Sequence, residues 1–446
     1  MAAPPPSSTP LEQALPRRSL LPVIVLAALA IRIVVVIFTY RDLPDADKFY
    51  ERFGWEMGWI ARALASGHGF SSPYYPWSGP TAIEPPLYPA LLSIVFRVFG
   101  IYSLTSAFVS LTINSLLSAL TCVPVYFSAK FSLGARRAKY AAWAWALYPF
   151  AIYFSAARTW EYALTGLLFT TCFCIAQRIH RSRNPLAWLG WGTLFGVTAL
   201  SNTSVLSTLP FLLLWALDQT RPAQTSRAKR RWIVYGALTS LGVVAVLAPW
   251  IARNYRALGI VCPVRDNIWL EIYADNFGNA PNDDSSPPSA ENRPYPANNP
   301  VELRKYLSMG EAVYFAEKHA LSVADFHQHH QYSFLMVKTL RRILYYWTGY
   351  WSFSAIELRD QPTVPAMVFY VSSVTLLMLR GAFRLWQSNR PAVVPYLILI
   401  CAFPLTYYFT NPLMDYRQAI EPAVVVLAVA GVVPWRRNEP AISVEV

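Results

Sequence analysis

The sequence predicts an all-α polytopic membrane protein with about ten transmembrane helices. Of its 446 residues, 54% are hydrophobic and 15% aromatic, and the mean hydropathy is +0.30. Only 14% of the residues are charged, against roughly 25% in soluble domains, which leaves too little polar surface for a soluble globule. Apolar stretches of about 20 residues, the length that crosses a bilayer, recur along the whole chain. Coiled-coil, collagen-like and disordered classes are excluded by this even distribution of aliphatic and aromatic residues.

Most of the predicted spans are separated by short polar or basic loops. The apolar segment Leu87–Phe99 is too short for a span, so we expect an interfacial or re-entrant helix there. The five cysteines mostly lie inside apolar runs and predict neither a disulfide framework nor a zinc site. The predicted spans are 20–40, 104–127, 139–156, 161–177, 186–200, 203–217, 233–251, 364–386, 393–409 and 422–434.

The distribution of charge predicts the orientation in the membrane. With the amino terminus inside, the cytoplasmic segments hold 19 Lys and Arg residues and four acidic residues. The outer segments then hold 18 basic and 21 acidic residues, so every inner loop is basic, as the positive-inside rule requires. Topology therefore explains the net charge of +13, and we predict a cell-membrane protein with no nucleic-acid partner.

Two long outer segments interrupt the regular alternation of span and loop. The second contains a stretch rich in Pro, Asn, Asp and Ser, 279–300, which predicts an irregular loop, with helices expected near 301–319 and 334–350. Outer segments of this length are typical of membrane enzymes. The predicted regions are a cytoplasmic tail (1–19), an N-terminal membrane core (20–252) with outer loop 41–101, an outer region (253–363), and C-terminal helices with a short tail (364–446).

One acidic residue of the first outer loop fits the role of a general base. We predict a helix over 49–66, with an apolar stripe from Phe53 to Leu64 that suits the headgroup plane. Glu56 flanks this stripe, and a carboxylate against an apolar boundary has a raised pKa, as a general base requires. The same periodicity equally allows an exposed glutamate on an amphipathic helix.

Three further acids face the same side of the membrane. Asp45 and Asp47 lie closer to the first span and are rival bases, although Asp47 is equally typical of a helix-capping turn. Glu161 opens a predicted span at the outer boundary. There it is either stabilised by the helix dipole or lines a polar cavity together with Glu56.

Several arginines lie at the outer membrane boundary. Arg253 and Asn254 end one span, Arg265 follows closely, and Tyr416 and Arg417 precede the last span. Such guanidinium groups either reach up to lipid phosphates or converge into a bidentate phosphate clamp. The adjacent histidines of 327–330 do not share a helix face, so we predict no metal site there.

The order of these motifs resembles the GT-C membrane glycosyltransferases, specifically the bacterial relatives of protein O-mannosyltransferases and lipid A aminoarabinose transferases. In that family an acidic outer loop leads into a helix ending like Ile60-Ala-Arg-Ala-Leu-Ala-Ser-Gly67-His-Gly, followed by a Pro-rich helix start like Glu84-Pro-Pro-Leu-Tyr88-Pro. A Pro-Trp-x-x-Arg-Asn element at 249–254 and an Asp-Tyr-Arg…Glu-Pro element at 415–422 come later. Each motif is weak alone, and their order, spacing and membrane side together make the resemblance specific.

The resemblance implies a polyprenyl-phosphate-linked sugar donor and a hydroxyl-bearing acceptor, which is a lipid, a glycan or a protein. Transfer with inversion would occur at the outer face of a bacterial inner membrane. Relatives commonly carry their catalytic Asp at the position of Phe53, so the base is Glu56 or, reaching in from upstream, Asp45 or Asp47. Glu161 matches the second acidic position. The substrate-binding residues implied are Glu84, Tyr88, Arg253, Asn254, Arg265, Tyr416 and Arg417.

Cofactor and function class stay partly open at this point. Some relatives bind a divalent metal ion with these acids, but the sequence shows no dedicated ligand set. A flippase, ligase or polymerase of cell-envelope polysaccharides would use the same lipid carriers. A secondary transporter should show ionisable residues within the membrane and paired broken helices, whereas Arg32 is the only deeply placed charge.

Overall fold

The computed structural model describes residues 20–41, 53–74, 77–220, 226–277, 294–329, 332–353, 358–359 and 362–434. Within these ranges the chain is helical apart from its connections and one isolated bridge between Ser71 and Pro80, which confirms the all-α prediction. Two 3-10 helices cover Thr203–Thr208 and Met414–Ala419. The α-helices in chain order are α1 (Leu21–Arg41), α2 (Glu56–Ala65), α3 (Leu87–Phe99), α4 (Leu104–Leu120), α5 (Cys122–Leu133), α6 (Ala135–Ala146), α7 (Pro149–Ala156), α8 (Tyr162–Ile179), α9 (Pro185–Ala199), α10 (Leu209–Asp218), α11 (Ser226–Leu258), α12 (Ile268–Asn276), α13 (Pro300–Met309), α14 (Glu311–His329), α15 (Tyr332–Thr348), α16 (Val364–Ser388), α17 (Arg390–Ala402), α18 (Leu405–Phe409) and α19 (Glu421–Val432).

Six helical segments of the described chain are long and apolar enough to cross a membrane, which confirms a multi-pass membrane protein. The other predicted spans form shorter helices: 139–156 is divided between α6 and α7, while α9, α10 and α19 have at most 15 residues each. The count of ten therefore stays a prediction. The six segments are Leu21–Thr39, Leu104–Leu133, Tyr162–Ile179, Arg230–Leu258, Val364–Ser388 and Arg390–Phe409.

Glycines let two pairs of helices pack at very short distances. A Cβ atom on Gly192 of α9 would lie 2.0 Å from the carbonyl oxygen of Thr239 on α11. A Cβ atom on Gly381 of α16 would lie 1.8 Å from the carbonyl oxygen of Leu427 on α19. Small residues at helix interfaces allow this backbone contact inside a membrane, where packing rather than water exclusion drives association.

Arg32, the deeply placed charge of α1, has a structural role. Its guanidinium is fully buried. Nε donates to the hydroxyl of Ser118 at 3.0 Å, and Nη1 donates to the carbonyl oxygens of Ala28 and Ala146, each at 3.0 Å. Because these acceptors belong to α1, α4 and α6, Arg32 ties three helices together, and no transport pathway is needed to explain it.

The apolar stripe of α2 packs inside the protein and does not lie in the headgroup plane as the sequence predicted. Phe53 is fully buried, with its ring edge-on to Phe96 and Tyr102 at centroid distances of 5.3 Å. Ile60, also fully buried, packs in a second cluster with residues of the outer region. Helix α2 is therefore enclosed between α3 on one side and the second outer segment on the other.

The second outer segment is helical where the sequence predicted, with one additional break. The helix expected over 301–319 is divided into α13 and α14 at Gly310, whose φ of +77° no helix interior accepts. Helix α3 has the predicted bounds. Of the predicted loop 279–300, residues 279–293 lie outside the described part of the chain.

Candidate active site

Glu56 is the first residue of α2, directly after a turn that the apolar periodicity did not reveal. Gly54 has a φ of +81° and Trp55 a φ of +46°, so the described chain is not helical there and α2 begins at 56, not at 49. A Cβ atom on Gly54 would lie 2.3 Å from the carbonyl oxygen of Thr159. The turn therefore rests directly on the connection between α7 and α8, which fixes the position of Glu56.

A cavity of about 560 Å³ lies beside Glu56. Its wall is formed by the two long segments that the sequence predicts to be outer, together with the adjoining ends of α1, α4, α7 and α8. Of the residues predicted from the sequence, four line this cavity: Glu56, Glu84, Arg265 and Tyr416.

The cavity wall carries a carboxyl cluster, Glu56, Glu84 and Glu271, whose members interact electrostatically with one another and with Arg265. Nη2 of Arg265 forms an ion pair with Oε1 of Glu84 at 3.2 Å. Burial, and after it the charge of Glu84, raises the pKa of Glu56 to about 8. Burial also raises the pKa of Glu84 to about 7, against the opposing charge of Arg265. Both pKa values lie near neutral pH, the range that general acid–base catalysis requires.

The cavity wall also carries residues that were not predicted as site residues. Arg158 is exposed, and within the described chain the single hydrogen bond of its guanidinium runs from Nε to the hydroxyl of Tyr153 at 3.3 Å. Asp415 accepts a hydrogen bond from the hydroxyl of Tyr162 at 2.6 Å. Thr39, the last residue of the first candidate span, also lines the cavity. The cavity therefore reaches one end of a candidate membrane span. In its wall the Nη groups of Arg158 donate no hydrogen bond among the described residues, and the charge of Asp415 attracts this guanidinium.

Glu161 and Tyr88 are buried behind the cavity and do not line it. Oε1 of Glu161 accepts a hydrogen bond from Nδ2 of Asn202 at 3.3 Å, while Oε2 has no donor among the described residues. The hydroxyl of Tyr88 accepts from Nδ2 of Asn114 at 2.8 Å. Glu161 precedes α8 without capping its backbone. Catalytic and substrate-binding roles for these two residues stay predictions.

Arg253 and Asn254 hold loop backbone in place. Nη1 of Arg253 donates to the carbonyl oxygen of Thr81 at 2.5 Å, and Nη2 donates to that of Phe70. Nδ2 of Asn254 donates to the carbonyl oxygen of Cys262 at 3.2 Å. Neither residue lines the cavity, so the structure does not bring Arg253 to the carboxyl cluster.

Arg417 is likewise kept away from the cavity. It is 1% exposed, its Nε forms an ion pair with Glu421, and its Nη1 donates to the carbonyl oxygen of Tyr346 at 3.1 Å. The hydroxyl of Tyr148 donates to the other oxygen of Glu421 at 2.8 Å. The neighbouring Tyr416, by contrast, reaches the cavity. Of the two alternatives for the boundary arginines, convergence into a phosphate clamp is therefore not seen for Arg253 and Arg417 in the described geometry.

The described residues do not supply a ligand set for a divalent metal ion. No three of their His, Cys, Asp or Glu side chains are grouped closely enough to bind one. Asp45 and Asp47 lie outside the described residues.

One family model matches part of the chain, and solved structures share its fold. Residues 83–250 match the sequence model of the family described as dolichyl-phosphate-mannose-protein mannosyltransferase. This segment contains Glu84, Tyr88, Arg158 and Glu161. No curated protein gives a significant match.

Among solved structures, the Archaeoglobus fulgidus oligosaccharyltransferase in complex with Zn and sulfate has a TM-score of 0.53 and 16% identity, over 92% of this chain and 48% of that chain. The same enzyme tethered to an acceptor peptide has a TM-score of 0.54 and 14% identity, over 92% and 49%. ArnT from Cupriavidus metallidurans bound to undecaprenyl phosphate has a TM-score of 0.37 and 12% identity, over 92% and 76%. The chain thus spans about half the length of the archaeal enzyme, and the similarity establishes a shared fold. The resemblance predicted from the motifs is confirmed.

Proposed function

We propose that this relative of the GT-C membrane glycosyltransferases transfers a sugar from a polyprenyl-phosphate-linked donor to an acceptor hydroxyl at the outer face of a bacterial inner membrane, with inversion. The observation that carries the proposal is the cavity, whose wall holds carboxyl groups with raised pKa values together with a guanidinium whose Nη groups donate no hydrogen bond among the described residues. The acceptor class, whether lipid, glycan or protein, is left open.

Glu56 acts as the general base in this proposal. Its carboxylate takes the proton of the acceptor hydroxyl as the acceptor oxygen forms a bond to C1 of the sugar. The bond between C1 and the phosphate oxygen breaks at the same time, and the polyprenyl phosphate leaves with the bonding electrons. With a pKa of about 8, Glu56 is a stronger base than an ordinary carboxylate, since burial and the charge of Glu84 disfavour its ionised form.

Arg158 binds the donor phosphate in this proposal. It lines the cavity together with Thr39 of the first candidate span, and its Nη groups donate no hydrogen bond among the described residues. Two parallel hydrogen bonds from a guanidinium to a phosphate stabilise the negative charge that develops on the leaving group. Arg265 is already paired with Glu84 and instead holds that carboxyl group in the cavity wall.

The proposal is tested by single-turnover transfer from radiolabelled polyprenyl-phosphate sugars to a panel of acceptors. Glu56→Gln keeps the shape of the side chain and removes its basicity, so transfer should fall roughly a hundredfold or more while donor binding persists. Glu317→Gln changes a carboxylate of the same outer region outside the cavity and should leave transfer unchanged.

Two results would contradict the proposal. Normal transfer by Glu56→Gln would move the base to Asp47 or Asp45. Movement of the labelled lipid across liposomes without sugar transfer by the unmodified protein would favour a flippase instead.

A further inference from the structure

Residues 81–84, here called the docked segment, are held by side chains from distant parts of the chain. Nη1 of Arg253 donates to the carbonyl oxygen of Thr81 at 2.5 Å. Nε of Arg265 donates to the carbonyl oxygen of Ile83 at 2.7 Å. The segment has no regular secondary structure, so these contacts decide where its backbone lies.

The centre of the docked segment is bound by two acidic residues. The amide of Ala82 donates to Oε1 of Glu311, the first residue of α14, at 2.5 Å. The carbonyl oxygen of Ala82 accepts from the amide of Asp266 at 3.3 Å. Oε2 of Glu311 accepts from the hydroxyl of Tyr306 at 2.7 Å. Glu311 is 4% exposed, and Ala82 is fully buried.

Asp266 and Glu311 bind the two polar backbone groups of the same residue, Ala82, and their carboxyl groups come within hydrogen-bonding reach of each other. Both side-chain oxygens of Asp266 are shielded from solvent and have no hydrogen-bond donor among the described residues. Two carboxylates are acceptors only, so such a contact is unfavourable when both are ionised. One proton between them would provide the missing donor and remove the repulsion.

We propose that Asp266 and Glu311 share one proton, and that this proton keeps the docked segment in place. Both are then positioning residues: they orient Glu84 and, through it, Arg265 in the cavity wall. The docking itself is independent of the reaction, and its effect on sugar transfer rests on the function proposed above. Loss of the proton brings two negative charges together and pushes Glu311 away from Ala82.

The shared proton makes docking depend on pH. Burial, and after it the charge of Glu311, raises the pKa of Asp266 to about 9, above its ordinary value of 3.8. The docked state therefore holds the proton more tightly than the undocked state. Docking weakens as the pH rises toward about 9, and above that pH it no longer changes. The charged or titratable side chains that face the pair are Arg253, Arg265, Tyr74, Tyr306 and Cys262.

Titration of these neighbouring side chains does not explain a loss of docking below pH 9. Burial raises the pKa of Cys262 to about 12 and the pKa values of Tyr74 and Tyr306 well above the ordinary tyrosine range. The two arginines remain charged. In the cavity, Glu84 and Glu56 have pKa values of about 7 and about 8. A variant of Asp266 is therefore needed to separate the effect of their titration on docking from that of the shared proton.

Hydrogen exchange of the full-length protein in nanodiscs tests the proposal without donor or acceptor. The protection of a peptide covering 78–86 is measured from pH 6 to 10 and corrected for the intrinsic exchange rate. In the unmodified protein, protection should fall by up to about tenfold per pH unit and level off above 9. In Asp266→Asn, the amide donates to Glu311 without titrating, so the pH-dependent fall should disappear. A peptide from α4 serves as the internal reference.

Each outcome decides the point. A flat profile in the unmodified protein, or an unchanged slope in Asp266→Asn, would show that the pair holds no shared proton. Glu311→Ala should lose protection of the peptide at every pH. If that variant fails to fold, Asp266→Asn still decides. Failure of sugar transfer in the unmodified protein would overturn the proposed function and leave the exchange result standing.

Discussion

Replacing Glu84 by Gln should change how sugar transfer depends on pH. With a pKa of about 8, Glu56 is about one-tenth ionised at pH 7 and almost fully ionised at pH 9.5, so kcat/KM should rise about tenfold across this range. Glu84→Gln removes the charge that adds to the effect of burial. A pKa lower by about one corresponds to about 1.4 kcal/mol, the scale of two charges several ångströms apart in a protein. Glu56 would then be half ionised at pH 7, and the rise should shrink to about twofold.

The assay measures kcat/KM at pH 7 and 9.5, because the pH dependence of kcat/KM reports the ionisation of the free enzyme. The ratio of the two values is insensitive to a loss of donor affinity that is the same at both pH values. Glu317→Gln, outside the cavity, should retain the tenfold ratio. An unchanged ratio in Glu84→Gln would show that Glu56 does not sense the charge of Glu84. A ratio near one in the unmodified protein would remove Glu56 as the titrating base.

Two further predictions concern topology and stability. Both termini should be cytoplasmic, and residues 279–300 should lie outside. An impermeant maleimide should therefore label Ser286→Cys in intact cells, in a background where the exposed Cys401 is replaced by Ser. Labelling only after lysis would show that the orientation is the opposite one. Arg417→Ala leaves Glu421 buried without its partner and should cost about 3–5 kcal/mol of stability, seen as a lower unfolding temperature in detergent. Adding Glu421→Leu should recover part of that loss, and an unshifted unfolding temperature in Arg417→Ala would show that the ion pair does not stabilise the fold.

Helices with strong apolar signals could be predicted from the sequence. The first span and Leu87–Phe99 were predicted within one residue, since continuous apolar runs bounded by Pro, Gly or charged residues leave few alternatives. The start of α2 could not be predicted. Its apolar stripe continues upstream through Phe53, whereas Gly54 and Trp55 adopt left-handed conformations that depend on contact with the distant Thr159.

Sequence reasoning could select a site residue when the residue type alone determines its chemistry. Glu56 was selected as an acid beside an apolar stripe, and its burial next to Glu84 agrees with that reasoning. The arginines were harder to sort, because sequence does not show whether a guanidinium meets a carboxylate, a backbone carbonyl or an open cavity. Arg253 donates to loop carbonyls, whereas Arg158, which belongs to no quoted motif, lines the cavity.

This difference in partners leads to the prediction that Arg158, rather than Arg253 or Arg417, determines affinity for the donor phosphate. Its Nη groups donate no hydrogen bond within the described chain, so Arg158→Ala should lose about 1.5–3 kcal/mol of binding, or roughly ten- to a hundredfold in affinity for a polyprenyl phosphate in nanodiscs. Arg158→Lys should recover only part, since lysine lacks the bidentate fork. Affinity for the matching polyprenol, which has no phosphate, should be unchanged, and so should binding by Arg256→Ala, an exposed arginine of α11 outside the cavity. If Arg158→Ala and the unmodified protein bind the polyprenyl phosphate with equal affinity, Arg158 does not bind the phosphate. Arg253 and Arg417, the arginines in the motifs, would then be the candidates again.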